Sequence, residues 1–223
     1  MSTSRLKLYN GALLICGVRQ LASLSENVES RHLLDNVWND GGVDTCLSEA
    51  QWRFAIRAQK LDYSASITPE FGLRRAFEKS TDWILTSAIC QDEYYRIPLL
   101  QYTDEAGILY ADLDAIYVKF VSNDTGYGGN LALWPPTFTE YVKHYFATKI
   151  IGKVAAIDSP RAVALLTPRT GLLDRALEDA RNRDAISEPT RFFPQGSWGR
   201  ARNGGRSGSR SGFDGGNQNS LIG

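Results

Sequence analysis

Apolar residues recur along this chain first at helical spacing, then at strand spacing, then at helical spacing again. In "LYNGALLICGVRQLASL", Leu8, Ala12, Ile15 and Cys16 share one face and predict a short amphipathic helix. In "SENVESRHLLDNVW", Leu33, Leu34, Val37 and Trp38 fall at i, i+1, i+4 and i+5, and Cys46, Leu47 and Ala50 resume that face. One long helix over about 26–50 is therefore expected, bent at Gly41 and Gly42, each of which weakens a helix by ~1 kcal/mol relative to Ala. The period changes at "WRFAIRAQKLDY". Trp52, Phe54, Ile56 and Ala58 alternate with Arg53, Arg57 and Gln59, the pattern of a half-buried strand.

Further on, "RIPLLQY" and "ILYADL" are β-rich runs around a polar "TDEAG", which predicts a hairpin. "AIYVKFVSND" is dense in β-branched and aromatic residues and gives the strongest strand signal in the chain. "TGYGGN" reads as a flexible loop. Helix returns at "WPPTFTEYVKHYFATKIIGK", with prolines suited to a first turn and a stripe of Phe138, Tyr141, Val142, Tyr145, Phe146 and Ile150. A final amphipathic helix turns Leu172, Leu173, Ala176, Leu177 and Ala180 inward, and Pro189 ends it. The expected class is α+β: a helical bundle with an inserted antiparallel β-sheet and hairpin, and a long extended C-terminal tail. The body spans 1–188, with helices about 5–50 and 135–187 and the β insertion about 52–122. Residues 189–223 form a Gly/Arg/Ser-rich arm.

Composition sharpens that division. The chain is 43% hydrophobic and 11% aromatic, enough for a core, with zero formal net charge. The charge is unevenly placed. From Pro189 onward five arginines (Arg191, Arg200, Arg202, Arg206, Arg210) face one acid, Asp214, so the arm carries +4 and the body −4. Such an arm cannot bury enough apolar surface to order itself alone. Cys16, Cys46 and Cys90 are widely spaced and read as buried thiols of a reducing compartment. The N-terminus shows no signal-peptide core, and no apolar run approaches the ~18 residues of a membrane span. A soluble protein made in a cytoplasm is expected.

Candidate chemistry is sparse. His32 and His144 lie in helices with no partner ligand at i+4, and are expected to be structural or solvent-facing. Asp112 and Asp114, at i and i+2 on a strand, would share a face as a cation site, an acid/base pair or a solvated surface. Asp92 and Glu93 raise the same alternatives. "TGYGG" lacks the lysine and helix start of a phosphate loop. No spacing demands catalysis, and neither a metal nor a cofactor is implied. The aromatics past the last helix are more informative. Phe192, Phe193 and Trp198 need a cover, from their own body or from another chain, where such side chains act as anchors.

Several stretches together resemble the tail tubular protein A family of tailed bacteriophages. They are the N-terminal Asn10, Ala12, Leu13 helix, the Leu24-Ser25-Glu26 turn, and the run entering Trp52, Phe54 and Ala55. Thr81-Asp82-Trp83 and the helix "LWPPTFTEYVKHYFATKI" also match, so the resemblance covers roughly residues 8–187. It implies a virion structural protein, made in the host bacterial cytoplasm and located in the tail or neck. It also implies a head-to-tail adaptor that forms a ring, usually a dodecamer, under the portal protein. Such a ring joins the portal to a tail nozzle like tail tubular protein B and has tail fibres among its further neighbours. It surrounds a channel through which DNA passes without sequence-specific binding, and carries no catalytic residues. On this reading Phe192, Phe193, Trp198, Arg200, Arg202, Leu221 and Ile222 meet the portal or a neighbouring subunit. Tyr102, Asp104 and Glu105 of the hairpin face the nozzle. The competing reading is a nucleic-acid-binding module that uses the Arg/Gly/Ser tail to track a phosphate backbone.

Overall fold

The computed structural model describes residues 3–70, 72–154, 160–167 and 170–187; these belong, but for Ser187, to the unit Met1–Ile186, one of two into which the chain divides. The fold is mixed α+β, with six α-helices and two small antiparallel sheets among the described residues. Helix α1, Arg5–Cys16, starts on the Ser4 side chain and ends at Gly17, whose left-handed backbone lets its N–H reach the carbonyls of Leu13 and Leu14. Its inner face, Leu8, Tyr9, Ala12, Leu13 and Cys16, is fully covered. The cover is chiefly α4, Pro136–Val154, which contributes Phe138, Tyr141, Val142, Phe146, Ala147, Ile150 and Ile151 to the same core. Five of the six stripe positions read from the sequence of α4 are buried; Tyr145 is half-exposed at the rim.

The long helix expected over 26–50 is two helices, α2 (Glu29–Asn39) and α3 (Gly42–Ser48). Gly41 sits at φ 79°, a region that glycine enters without the Cβ penalty, and it turns the chain rather than bending a helix. Gly42 then packs so closely that a Cβ would stand 2.6 Å from the Val37 carbonyl oxygen.

The first strand also begins later than its alternation suggests. Trp52 is buried beside, and Phe54 within, a 3-10 turn, Arg53–Ala55, and both rings lie against Phe138, at 4.9 and 4.8 Å between centroids. Strand β1 runs Ile56–Asp62 with Leu61 buried and Ala58 exposed. The helical core captured the two aromatics, so the parity read across Trp52–Ala58 does not hold. Two strands without clear alternation, β2 (Arg75–Glu78) and β3 (Trp83–Cys90), were not anticipated, nor was helix α5 (Pro160–Leu166).

Past β3 lie β4 (Thr103–Glu105), β5 (Ile108–Ala111) and β6 (Ala115–Ser122). One sheet has the order β1-β6-β3 and the other β2-β5-β4, all pairs antiparallel. Strand β6 is central, as its composition suggests. Ile116, Val118 and Phe120 on one face join Phe77 and Leu109 of the second sheet in a core of their own, whereas Val121 belongs to the helical core. The first sheet thus serves two cores. No residue of β4 or β5 enters the helical one.

Helix α6, Leu172–Ile186, buries Ala180 and half-covers Leu173, Ala176 and Leu177, but Leu172 is exposed, against expectation, because it opens the helix. Arg181 donates to the Glu49 carbonyl at 2.6 Å, and Asp184 accepts the Arg53 N–H at 3.2 Å, which ties α6 to the junction of α3 and β1. The "TGYGGN" loop, read from the sequence as flexible, is cross-braced by hydrogen bonds. Asp124 accepts the N–H groups of Tyr127, Gly126 and Gly129, Asn123 reaches Asp44, and the Trp134 indole donates to Gly128 at 2.7 Å.

Candidate interaction surface

Most of the residues read as possible chemistry have a structural partner; Glu93 is simply exposed. Asp112 and Asp114 lie in the bend between β5 and β6, not on a strand face. Asp112 accepts the Arg74 N–H at 2.8 Å, and Asp114 pairs with Arg75 at 2.9 Å. Asp92 accepts the N–H groups of Ile97 and Arg96, at 2.8 and 3.0 Å, which lowers its carboxyl below the usual range. His32 is exposed on α2, and His144 bonds the Glu140 carbonyl within α4. The three thiols are buried. Burial pushes Cys16 up to about 11 and raises Cys46 and Cys90, so none is a ready thiolate nucleophile. Among the described residues, no three His, Cys, Asp or Glu side chains cluster to hold a metal ion. No described helix is long and apolar enough to cross a membrane.

The residues that carry the family resemblance are staples. Asn10 pairs with Leu21 twice, accepting its N–H at 2.8 Å and donating to its carbonyl at 3.0 Å. Glu26 accepts from Arg19 and from the Ala22 N–H. Asp82 accepts from the Arg57 guanidinium at 2.8 Å and from the Ser122 hydroxyl, while its backbone carbonyl takes the Asn123 N–H. Burial works against its ionisation, but the hydrogen bonds from Ser122 and Arg57 outweigh that and hold the carboxyl at about 2. Between α1 and α2, Asp35 takes hydrogen bonds from Arg5, Arg31 and the Tyr9 hydroxyl, with the Arg5 guanidinium 4.7 Å from the Trp38 ring centre.

Large apolar side chains stand exposed on the helices, at Leu14, Val163 and Ile186, and at the sheet end, where several crowd one loop. The hairpin turn is Ala106-Gly107 alone, at φ 49° and 85°, both positive as a two-residue I′ turn requires. Thr103–Glu105, read from the sequence as part of the turn, are the strand before it. Ile97–Tyr102, read as a strand, pairs only briefly with β3: Pro98 bridges Cys90, flanked by Gln91 N–H to the Ile97 carbonyl at 3.0 Å and Leu99 N–H to the Ile89 carbonyl at 2.9 Å. Of the hairpin residues singled out, Asp104 is fixed by Lys79 at 2.6 and 2.7 Å, with the ammonium 5.4 Å from the Trp83 ring centre. Glu105 is exposed, and Tyr102 is 41% exposed.

Sequence reasoning missed the neighbours of Tyr102. Leu100 is 84% exposed, Tyr94 68% and Ile97 54%, all on the loop that Asp92 braces. Thr103, Glu105 and Tyr110 also line a groove of about 480 Å³ together with Pro69, Glu70 and Leu73. The arm residues Phe192, Phe193, Trp198, Arg200, Arg202, Leu221 and Ile222 lie outside the described residues. No protein-family model matches the chain, and no curated protein matches it.

Proposed function

We propose that this chain is a head-to-tail adaptor of a tailed bacteriophage. In this reading it is a helical bundle with an inserted β region and an extended C-terminal arm. Copies assemble as a ring, a dodecamer, under the portal protein in the virion neck, around a channel through which DNA passes. Phe192, Phe193, Trp198, Arg200, Arg202, Leu221 and Ile222 of the arm engage the portal or a neighbouring subunit. The hairpin end meets the tail nozzle, and the protein acts by contact, without catalysis or a cofactor. The observation that carries the reading is the braced loop at the sheet end, where Tyr94, Ile97, Leu100 and Tyr102 stand in solvent on a loop held by Asp92. Large apolar side chains on a rigid exposed support mark a protein interface. The resemblance over residues 8–187 supplies the class of that interface. Sedimentation of the purified chain, alone and with a portal ring, tests it: an adaptor forms rings or binds the portal. A chain that stays monomeric and ignores the portal refutes the reading.

The arm's excess of arginine favours a second reading, a nucleic-acid-binding module. A DNA titration across a salt series separates the two. A steep loss of affinity with salt belongs to the module, and weak binding throughout belongs to the adaptor.

A further inference from the structure

The pleat of the second sheet sorts its side chains by face. Thr103 and Glu105 on β4 point outward with Ile108 and Tyr110 of β5, which they oppose in register. Asp104 and Leu109 point inward, where Leu109 is fully buried. The outer face and the preceding loop form the groove already described. Pro69, Leu73 and Tyr110 make its apolar lining, Glu70 and Glu105 are exposed at it, and among the described residues no lysine or arginine lines it. Glu78 adds a further exposed acid on the same outward face, opposite Ile108. A volume of about 480 Å³ lies in the range of pockets that enclose a bulky group.

We infer that this groove receives the C-terminal arm of a second copy of the chain. The arm complements it in charge and in shape of chain. "RFFPQGSWGRAR", from Arg191 to Arg202, offers three arginines and no acid, interleaved with Phe192, Phe193 and Trp198. Aromatic anchors seated on an apolar lining, with arginines meeting flanking carboxylates, is the arrangement of energetic centres in protein interfaces. Length permits the reach: residues 188–223, fully extended, span at most about 120 Å. The inference rests on the ring reading, because only a neighbouring subunit holds a second groove at fixed distance. It assigns Glu105 to contact between subunits and leaves Tyr102, with Leu100 and Ile97, to the nozzle.

The test uses the full-length chain in two differently tagged forms, Thr68→Cys at the groove and Ser197→Cys in the arm. The native thiols are buried, so unsubstituted chain sets the background. After mixing and mild oxidation, a disulfide joining the two tags is expected. Glu70→Lys with Glu105→Lys should lower its yield about tenfold, and adding Arg200→Glu with Arg202→Glu should restore it, because reversing both sides re-forms the pairs. No cross-link above background overturns the inference. A cross-link formed only within a chain carrying both cysteines also overturns it, since the arm then folds onto its own body. Copies that associate in sedimentation without this cross-link refute the groove and spare the adaptor. Monomers that ignore the portal refute both.

Discussion

Replacing Asp82 with Asn tests whether the turn into β3 is held by charge or only by shape. The carboxylate accepts from Ser122, whose side chain is wholly buried, and from Arg57, one third exposed. Asn keeps the volume and one acceptor but loses the charge, so charge-assisted bonds become ordinary ones, a loss of roughly 1–2 kcal/mol. The pH dependence is the sharper test. The folded carboxyl titrates at about 2, against 3.8 for an unperturbed one. That depression corresponds to roughly 2.5 kcal/mol in full, and screening of the exposed side of Arg57 brings the expected share to about 1–2 kcal/mol. A depressed acid stabilises the fold fully above its unfolded value. As pH falls, the unfolded chain takes up a proton first, near 3.8, and the folded chain only near 2. The advantage therefore shrinks between about pH 4 and pH 2. Urea unfolding of wild type and Asp82→Asn at pH 7, 4, 3 and 2 should show midpoints that differ at pH 7 and converge at pH 2. A difference that is constant over that range, or under about 0.5 kcal/mol at pH 7, refutes charge as the source.

Gly128→Ala should destabilise the body by about 2 kcal/mol or more, because the new Cβ would press on the Ser122 carbonyl and stand 3.0 Å from both Ala55 and Leu47 side chains; thermal unfolding measures it. Leu100→Ser should leave unfolding within about 0.5 kcal/mol of wild type while lowering the fraction of virions that carry a nozzle, counted by electron microscopy; intact nozzles at wild-type frequency would remove this loop from the interface. Truncation after Ser187 should leave the urea midpoint of the body unchanged but weaken its association with neighbours or portal. Equal association by sedimentation would sink the arm's role. On the adaptor reading, DNA binding by the full chain should stay weak at physiological salt, since the body carries −4; submicromolar affinity there would favour the nucleic-acid reading.

Helix α4 was legible because a buried helix facing one core repeats its apolar residues every three or four positions, and nothing competed for them. The failures have specific causes. Trp52 and Phe54 continue the alternation of β1 by coincidence of spacing, yet their rings fill the helical core beside Phe138. Strand β3 is half-covered on both faces along most of its length, so it offers no period-two signal. The hairpin was legible as an element but displaced, because a two-residue turn needs only positive φ at Ala106 and Gly107, and the polar Thr103, Asp104 and Glu105 belong to an exposed strand. At the sheet end, Tyr102 was legible as an exposed residue from its place beside the polar turn. Ile97 and Leu100 were not, since an aliphatic residue in an apolar run reads as core, and here only Leu99 of that run is buried.

The placement of the resemblance motifs changes where specificity must reside. Asn10, Glu26 and Asp82 bond the backbone or a neighbouring arginine of their own chain, and Trp52 donates its indole N–H to Cys46. These groups are engaged in holding this chain's own frame. They report the frame, and they cannot distinguish one partner from another. Partner choice must therefore come from side chains the frame does not use. At the sheet end these are Tyr94, Ile97, Leu100 and Tyr102, which contribute to no core and stand free of the packing that fixes the staples. Exposed positions of this kind change at little cost to folding, usually within about 0.5 kcal/mol. Substitutions in the braced loop therefore probe contact without disturbing α1, α4 or the Asp82 turn.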